Sequence, residues 1–385
     1  MTSFPLDFES PGDVRKILTI LNVPETEVDL VLVNGESVDL VHEINPDDRI
    51  SIFPVFETFD IRSLVRIRAR PLREPRFVLD VHLGKLAAFL RMLGFDSAYR
   101  PDWLEHTRLA YTCRAADLLA SLLPEGVVGS ISTVPGAHGE RAQSRGARDA
   151  IAWRLLAAAA HLADLEDRTG RRIVLSVEPE PGCMLEGAFD TVSFFRDHVF
   201  HGDALRAARI GESTARKHLG VCLDACHLAV AFEKPLDALS TFAREGIAVG
   251  KLQVSAAVQL DGAWSAREIL PRLYDGEHLH QTRVRRGDGS IRSYDDIANA
   301  LVDLPDGLWR THVHVPVDRM PPPPYDTTRD DLEELVRLAV AQNTTTNFEV
   351  ETCSWNVLPP GVRGVSLVED VARELQWTRN VAEGT

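Results

Sequence analysis

Apolar and polar positions follow two different rhythms along this chain, and they change near residue 100. In the first stretch the apolar runs are short and separated by acids. Pro11–Asn22 places Val14, Ile17, Leu18 and Leu21 at helical spacing. Phe4–Glu9 reads as a short strand, and Val28–Val33 as a strand running into the turn Asn34-Gly35. Glu36–Val41 and Arg49–Phe53 read as two more, the second entered through Asp47-Asp48. A strand, a helix and three short strands predict a β-grasp domain over residues 1–60.

Residues 61–76 break the pattern with Arg62, Arg66, Arg68, Arg70, Arg73 and Arg76, which read as a solvated linker. Phe77–Val81 then predicts a strand and Gly84–Gly94 an amphipathic helix. Together they mark a fragment over 77–100.

From residue 101 the runs lengthen and alternate in type. Helices are predicted over Thr107–Leu123, Ala147–Asp167, Phe189–Phe200, Pro235–Glu245, Asp330–Ala341 (with Thr328 as its cap) and Ser366–Arg379. Strands are predicted over Gly126–Val134, Ile173–Val177, Leu219–Leu223, Val249–Val254, Thr311–Val317 and Phe348–Thr352. Strands alternating with helices at this spacing predict βα units around a parallel sheet. Gly287-Asp288-Gly289, between His278–Arg286 and Arg292–Tyr294, predicts a hairpin insertion.

The chemistry collects where strands stop. Ile173–Pro181 (IVLSVEPEP) ends in Glu178 and Glu180, and Leu219–His227 (LGVCLDACH) ends in Asp224 with His227 three residues later. THVHVPV presents His312 and His314 on one face, and the last strand presents Glu349 and Glu351. Lys251 and Gln253 mark a fifth strand. Carboxyl edges of parallel strands are where α/β enzymes hold their reacting groups. Carboxylate oxygen with imidazole nitrogen suits Mn²⁺, Mg²⁺, Co²⁺ or Zn²⁺. Trp355 follows the last strand and either walls a pocket or covers the rim. Cys222 and Cys226 flank the site and are expected to pack.

Composition narrows the partners. Lys and Arg number 42 against 57 Asp and Glu, a net charge of −15. That balance argues against a broad nucleic-acid or anionic-membrane surface. Five cysteines in no regular framework fit reduced thiols. With no signal-like start and no apolar run of membrane length, a soluble cytoplasmic protein is expected.

Two resemblances sharpen the expectation. EVDLVLVNGESVDL, PVFETFDI and PLREPRFVLDVHLGKLAAFLRMLGFD, over residues 4–100, resemble the Mut-seven C-terminal family. In that family a ubiquitin-like domain precedes a PIN-like RNase domain. Only the opening strand and helix of the nuclease are present, and Asp80 alone matches its several acids, so nuclease activity is the least favoured reading.

Over residues 101–385, VEPEP, HLGVCLDACHLAVAFE, GKLQVSAA, LHQ, HVHVPV and FEVETCSWNVLPP resemble the EboE family of metabolite traffic proteins, within the xylose-isomerase-like TIM barrels. The resemblance implies a metal held by Glu178, Asp224, His314 and Glu351, with Glu180 and His227 as catalytic groups. It implies Lys251, Gln253, His312, Glu349 and Trp355 around a small carbonyl or polyol metabolite, and partners in a metabolite export system. Glu180 stands where sugar isomerases carry a lysine, which favours proton transfer over hydride shift. A non-catalytic metabolite-binding protein is the alternative.

Such a barrel should begin with about three more βα units before Pro101. The chain therefore reads as an N-terminal β-grasp domain fused to an N-terminally truncated barrel, joined near residue 100.

Overall fold

The computed structural model describes residues 12–21, 23, 28–46, 48–54, 101–142, 144–274, 279–320, 325–352 and 366–384. The linker expected at 61–76, the fragment at 77–100, the strand Phe4–Glu9 and Trp355 lie outside the described residues. The chain divides into two compact units, Met1–Leu79 and Asp80–Thr385.

In the first unit, β1 (Gly12–Asp13) leads into α1 (Val14–Ile20). Asp13 caps α1 by accepting from the Lys16 N–H at 2.9 Å, as a short acid at an N-cap does. β2 (Val28–Val33) pairs with β3 (Glu36–Ser37) through a two-residue turn. Asn34 and Gly35 both have positive φ, 53° and 89°, the hairpin geometry that Asn-Gly favours. β4 (Glu43–Ile44) pairs with β1, and β5 (Ile50–Pro54) with β2, so the strand expected to reach Val41 stops at Ser37. Val14, Ile17, Leu18, Val31, Val33, Val38 and Ile44 close a small core of their own.

The second unit carries the larger core. α2 (His106–Leu122) precedes β6 (Gly129–Thr133), and α3 (Arg145–Thr169) precedes β7 (Ile173–Val177). The α3 stripe of Ile151, Leu155, Leu156, Ala159 and Leu162 is buried, and Gly170 stops the helix at φ 69°. Short helices α4 (Ala188–Phe194), α5 (Gly202–Ala208) and α6 (Glu212–His218) lead to β8 (Leu219–Asp224). A π-helical turn, Phe195–Val199, extends α4 and packs Phe195 and Val199 inward. α7 (Ala225–Val230) and α8 (Pro235–Arg244) then lead to β9 (Ala248–Val254).

The chain next leaves the parallel sheet. Only Ser255 separates β9 from β10 (Ala256–Asp261), which belongs to another sheet. α9 (Gly262–Ile269), β11 (Thr282–Arg285), β12 (Ile291–Tyr294), α10 (Ile297–Asp303), β13 (Leu308–Val315) and β14 (Asp326–Thr327) follow. After α11 (Arg329–Ala341), β15 (Phe348–Val350) returns to β9, and α12 (Leu367–Glu383) closes the described chain.

β6, β7, β8, β9 and β15 form a five-stranded parallel sheet in that order. β12, β11, β13, β10 and β14 form an antiparallel sheet in that order. The histidine strand is thus β13, paired antiparallel with β10, and not a further parallel strand. The expected hairpin β11–β12 is present, but the antiparallel insertion around it runs from Ala256 to Thr327. Thr328 stands at the start of α11 without capping it by its side chain. Its hydroxyl instead accepts from the Ala257 N–H at 2.9 Å, fixing the second sheet.

Candidate metal centre

Parallel register puts the polar residues of the sheet on one face, since hydrogen-bonded neighbours point the same way. Ser132, Ser176 and Gly220 align, then Cys222 with Lys251, then Asp224 with Gln253 and Glu349. Gly220 is required there, because a Cβ would strike the Ala248 carbonyl. Lys251 and Glu349 pair with each other, and Lys251 reaches Ser132 Oγ at 3.5 Å. Burial alone would lower the Lys251 pKa, and the Glu349 carboxylate raises it instead. Gln253 Oε1 accepts from the Cys222 thiol at 3.1 Å, so both stay in the sheet face.

Asp224 is 2% exposed and ends β8. Its Oδ1 accepts from the His227 N–H at 2.8 Å, and the Ser255 hydroxyl lies 3.0 Å from both its oxygens. Ser255, itself held by the Cys226 N–H at 2.9 Å, is the corner where the chain changes sheets. Burial pushes the Asp224 pKa up, but His227, His314 and these hydrogen bonds bring it below the usual carboxylate range.

Three imidazoles meet beside it. His227 Nε2 lies 3.0 Å from His312 Nε2, which lies 3.0 Å from His314 Nε2. The opposite nitrogens decide the tautomers. His227 Nδ1 is 3.1 Å from the Pro179 carbonyl, and His314 Nδ1 is 2.8 Å from the Glu351 carbonyl. A carbonyl oxygen only accepts, so both Nδ1 atoms carry the proton. His312 Nδ1 lies 2.7 Å from Gln281 Oε1, while Gln281 Nε2 donates to Glu180 Oε1 at 3.1 Å. With Nδ1 of each ring set on an oxygen, His312 Nε2 faces the Nε2 atoms of both His227 and His314.

That arrangement fits a divalent cation. Nitrogens about 2.1 Å from one ion in tetrahedral or octahedral array stand roughly 3.0–3.4 Å apart. Donation of the second ring nitrogen to an oxygen is the usual support for a ligating histidine. Asp224, His227 and His314 hold potential ligand atoms within 4.8 Å of one another, Asp224 lying 4.0 Å from each Nε2. Potential ligand atoms within 4.8 Å of one another also occur in Glu180–His227–His312, Cys226–His312–His314 and Glu178–Asp224–Glu351. Asp224 thus belongs to both a nitrogen-rich and an oxygen-only group.

The carboxyls of the oxygen-only group are perturbed. Burial, then Glu351, pushes the Glu178 pKa well up; burial, then Asp224, does the same to Glu351. Burial would lower the His227 pKa, and Asp224, Glu180 and Glu178 outweigh it to raise it. Glu178 keeps 17% of its side-chain surface, His312 15% and Glu180 12%, so solvent reaches the centre past these three.

The structure thus brings Glu178, Glu180, Asp224, His227, His312, His314 and Glu351 together. Lys251, Gln253 and Glu349 occupy the adjoining sheet face. Ser255 and Gln281 had not been singled out. Ser255 directly follows a strand end, the position that marked the acids, and Gln281 sits within the noted LHQ motif.

The family model described as Mut7-C ubiquitin matches residues 3–60, and that described as Mut7-C RNAse domain matches residues 75–119. The second match runs past residue 100 into α2. No curated protein matches the chain. Among solved structures, L-ribulose 3-epimerase is similar at 13% identity and TM-score 0.36, over 80% of this chain and 84% of that one. A xylose isomerase-like TIM barrel protein from Mycobacterium smegmatis in complex with magnesium is similar at 12% identity and TM-score 0.39, over 80% of each chain. The IOLI protein with a binding zinc atom is similar at 14% identity and TM-score 0.35, over 72% of this chain and 69% of that one. The chain carries matches to the Mut7-C ubiquitin and RNAse models at its N-terminal end.

Proposed function

We propose that the second unit binds a divalent cation through His227, His312, His314 and Asp224, and acts on a small polyol or carbonyl metabolite by proton transfer, as isomerases and epimerases do. The observation that carries this reading is the pair of 3.0 Å Nε2–Nε2 approaches that link His227, His312 and His314, each ring having its opposite nitrogen on an oxygen. Imidazole with one carboxylate suits Zn²⁺ or Co²⁺, while Glu178, Asp224 and Glu351 would favour Mg²⁺ or Mn²⁺. A bound cation supplies Lewis acidity toward a substrate oxygen.

The chain's own residues do the rest. Glu178, the most exposed of the carboxyls at the centre, stands at the approach with Oε1 3.6 Å from His227 Nδ1. It is the group placed to exchange a proton with substrate. Asp224, held on both oxygens by Ser255, keeps its charge beside the imidazoles. Lys251, paired with Glu349, offsets the acids on the sheet face.

The test is solvent exchange at carbon. Metal-loaded protein in D₂O, incubated with a panel of aldoses, ketoses and polyols, should exchange a carbon-bound hydrogen in at least one of them by NMR. Glu178→Gln should abolish exchange and leave Co²⁺ or Zn²⁺ binding by the histidines and Asp224 intact. The resemblance of residues 101–385 to the metabolite traffic family supports a second reading, a carrier that binds the metabolite without converting it. Binding without exchange would favour the carrier; failure to bind any cation would remove the first reading.

A further inference from the structure

Of the three converging histidines, two are oriented by main-chain carbonyls, Pro179 for His227 and Glu351 for His314. No side-chain substitution removes a carbonyl. His312 is oriented by a side chain, that of Gln281, which is fully buried. Gln281 holds His312 twice, because its backbone carbonyl also accepts from the His312 N–H at 2.9 Å.

The amide of Gln281 has a direction, and Glu180 sets it. A carboxylate only accepts, so the amide NH₂ must face Glu180 Oε1 at 3.1 Å. The amide oxygen is then left facing His312 Nδ1 at 2.7 Å, which must carry the proton. Reversing the amide would set oxygen against carboxylate and N–H against N–H. The order Glu180, Gln281, His312 therefore ends with the Nε2 lone pair aimed at the centre.

We propose that Gln281 is a positioning residue that couples Glu180 to His312 and fixes the tautomer in which His312 can ligate a cation. The inference deepens the metal-centre reading and rests on it for its role, though not for its geometry. It also gives Glu180 a use other than general base, since its Oε1 is committed to the Gln281 amide.

The experiment pairs ¹⁵N-histidine NMR of the metal-free full chain with Co²⁺ titration, the His312 signals being assigned by their loss in His312→Ala. The wild type should show His312 protonated at Nδ1. Gln281→Leu should shift it toward the Nε2–H form and weaken Co²⁺ binding about 10- to 100-fold, with unchanged circular dichroism. Gln281→Met is the second variant should the leucine form not fold. The exchange Gln281→Glu with Glu180→Gln keeps an acceptor beside Nδ1 and should restore both tautomer and affinity. A wild-type His312 protonated at Nε2, or a Gln281→Leu protein with tautomer and affinity unchanged, would overturn the proposal. So would an exchange variant as weak as Gln281→Leu. A wild type that binds no Co²⁺ would sink the metal-centre reading alone, since the NMR arm still decides whether Gln281 sets the tautomer.

Discussion

Asp224 takes a hydroxyl on both oxygens from Ser255 and an amide on one from His227, and it faces two imidazole nitrogens at 4.0 Å. Removing its charge should cost more than removing its support. Asp224→Asn is expected to abolish tight Co²⁺ or Zn²⁺ binding, and Ser255→Ala to weaken it about 10-fold, both read by titration of metal-stripped protein. Equal effects would mean that Ser255 is itself a donor. Glu178, Glu180, Asp224, His227, His312, His314 and Glu351 were all legible in the sequence, because each stands at or near the end of an apolar run. Their division of labour was not. Which nitrogen of each ring faces the centre depends on the Pro179 carbonyl, the Glu351 carbonyl and the Gln281 amide, and such directions exist only once the strands are paired. Trp355 stays an expectation, outside the described residues.

The same limit appears among the elements. β6, β7, β8, β9 and β15 were readable as strands of a parallel sheet because strand-like runs alternate with helical sequence along most of this stretch. β13 is also strand-like in sequence, and that pattern does not say which sheet it joins. Its partner β10 begins one residue after β9, so no turn signal announced the change of sheet. The short helices α5, α6, α7 and α10 were not read from the sequence, whereas α1 and α4, of similar length, overlap longer predicted runs. α12 was legible from the Ser366 cap, which accepts from the Glu369 N–H at 3.3 Å.

That helix also carries a pH-sensitive contact. Glu374 is fully buried, and burial raises its pKa to about 7 from 4.5, although Thr352 and the Val317 N–H donate to its Oε1. Its Oε2 has no hydrogen-bond partner among the described residues. A raised carboxyl pKa means that the folded state holds the proton more tightly. Stability should therefore fall as pH rises from about 4.5 to 7, by an amount of order 3 kcal/mol. Glu374→Gln should flatten that dependence and be the more stable protein at pH 8, as chemical denaturation at pH 5, 7 and 8 would show. An unchanged slope in the variant would place the dependence elsewhere.

At the scale of the molecule, the two units have separate cores, one built on Val14, Ile17, Leu18 and Val31, the other on Leu155, Leu175, Phe194, Phe242 and Leu252. All six tryptophans lie beyond residue 100, so their fluorescence reports the second unit, while far-ultraviolet circular dichroism reports both. Ile17→Ala should destabilise the first unit by about 2–5 kcal/mol, shifting part of the circular dichroism transition and none of the fluorescence transition. A shift in both would mean that the units unfold together. The join near residue 100 is itself a proposal, and an intact mass of 42.7 kDa for native protein would establish it. Two separate products would refute it.

The centre is most directly tested by X-ray absorption on the Zn²⁺-loaded full chain. The account predicts nitrogen and oxygen donors at about 2.0–2.1 Å, with outer-shell scattering equivalent to about three imidazoles, falling by one ring in His312→Ala. Protein that retains no Zn²⁺ after dialysis, or a bound ion without imidazole scattering, would contradict it and leave the three histidines a proton-sharing cluster.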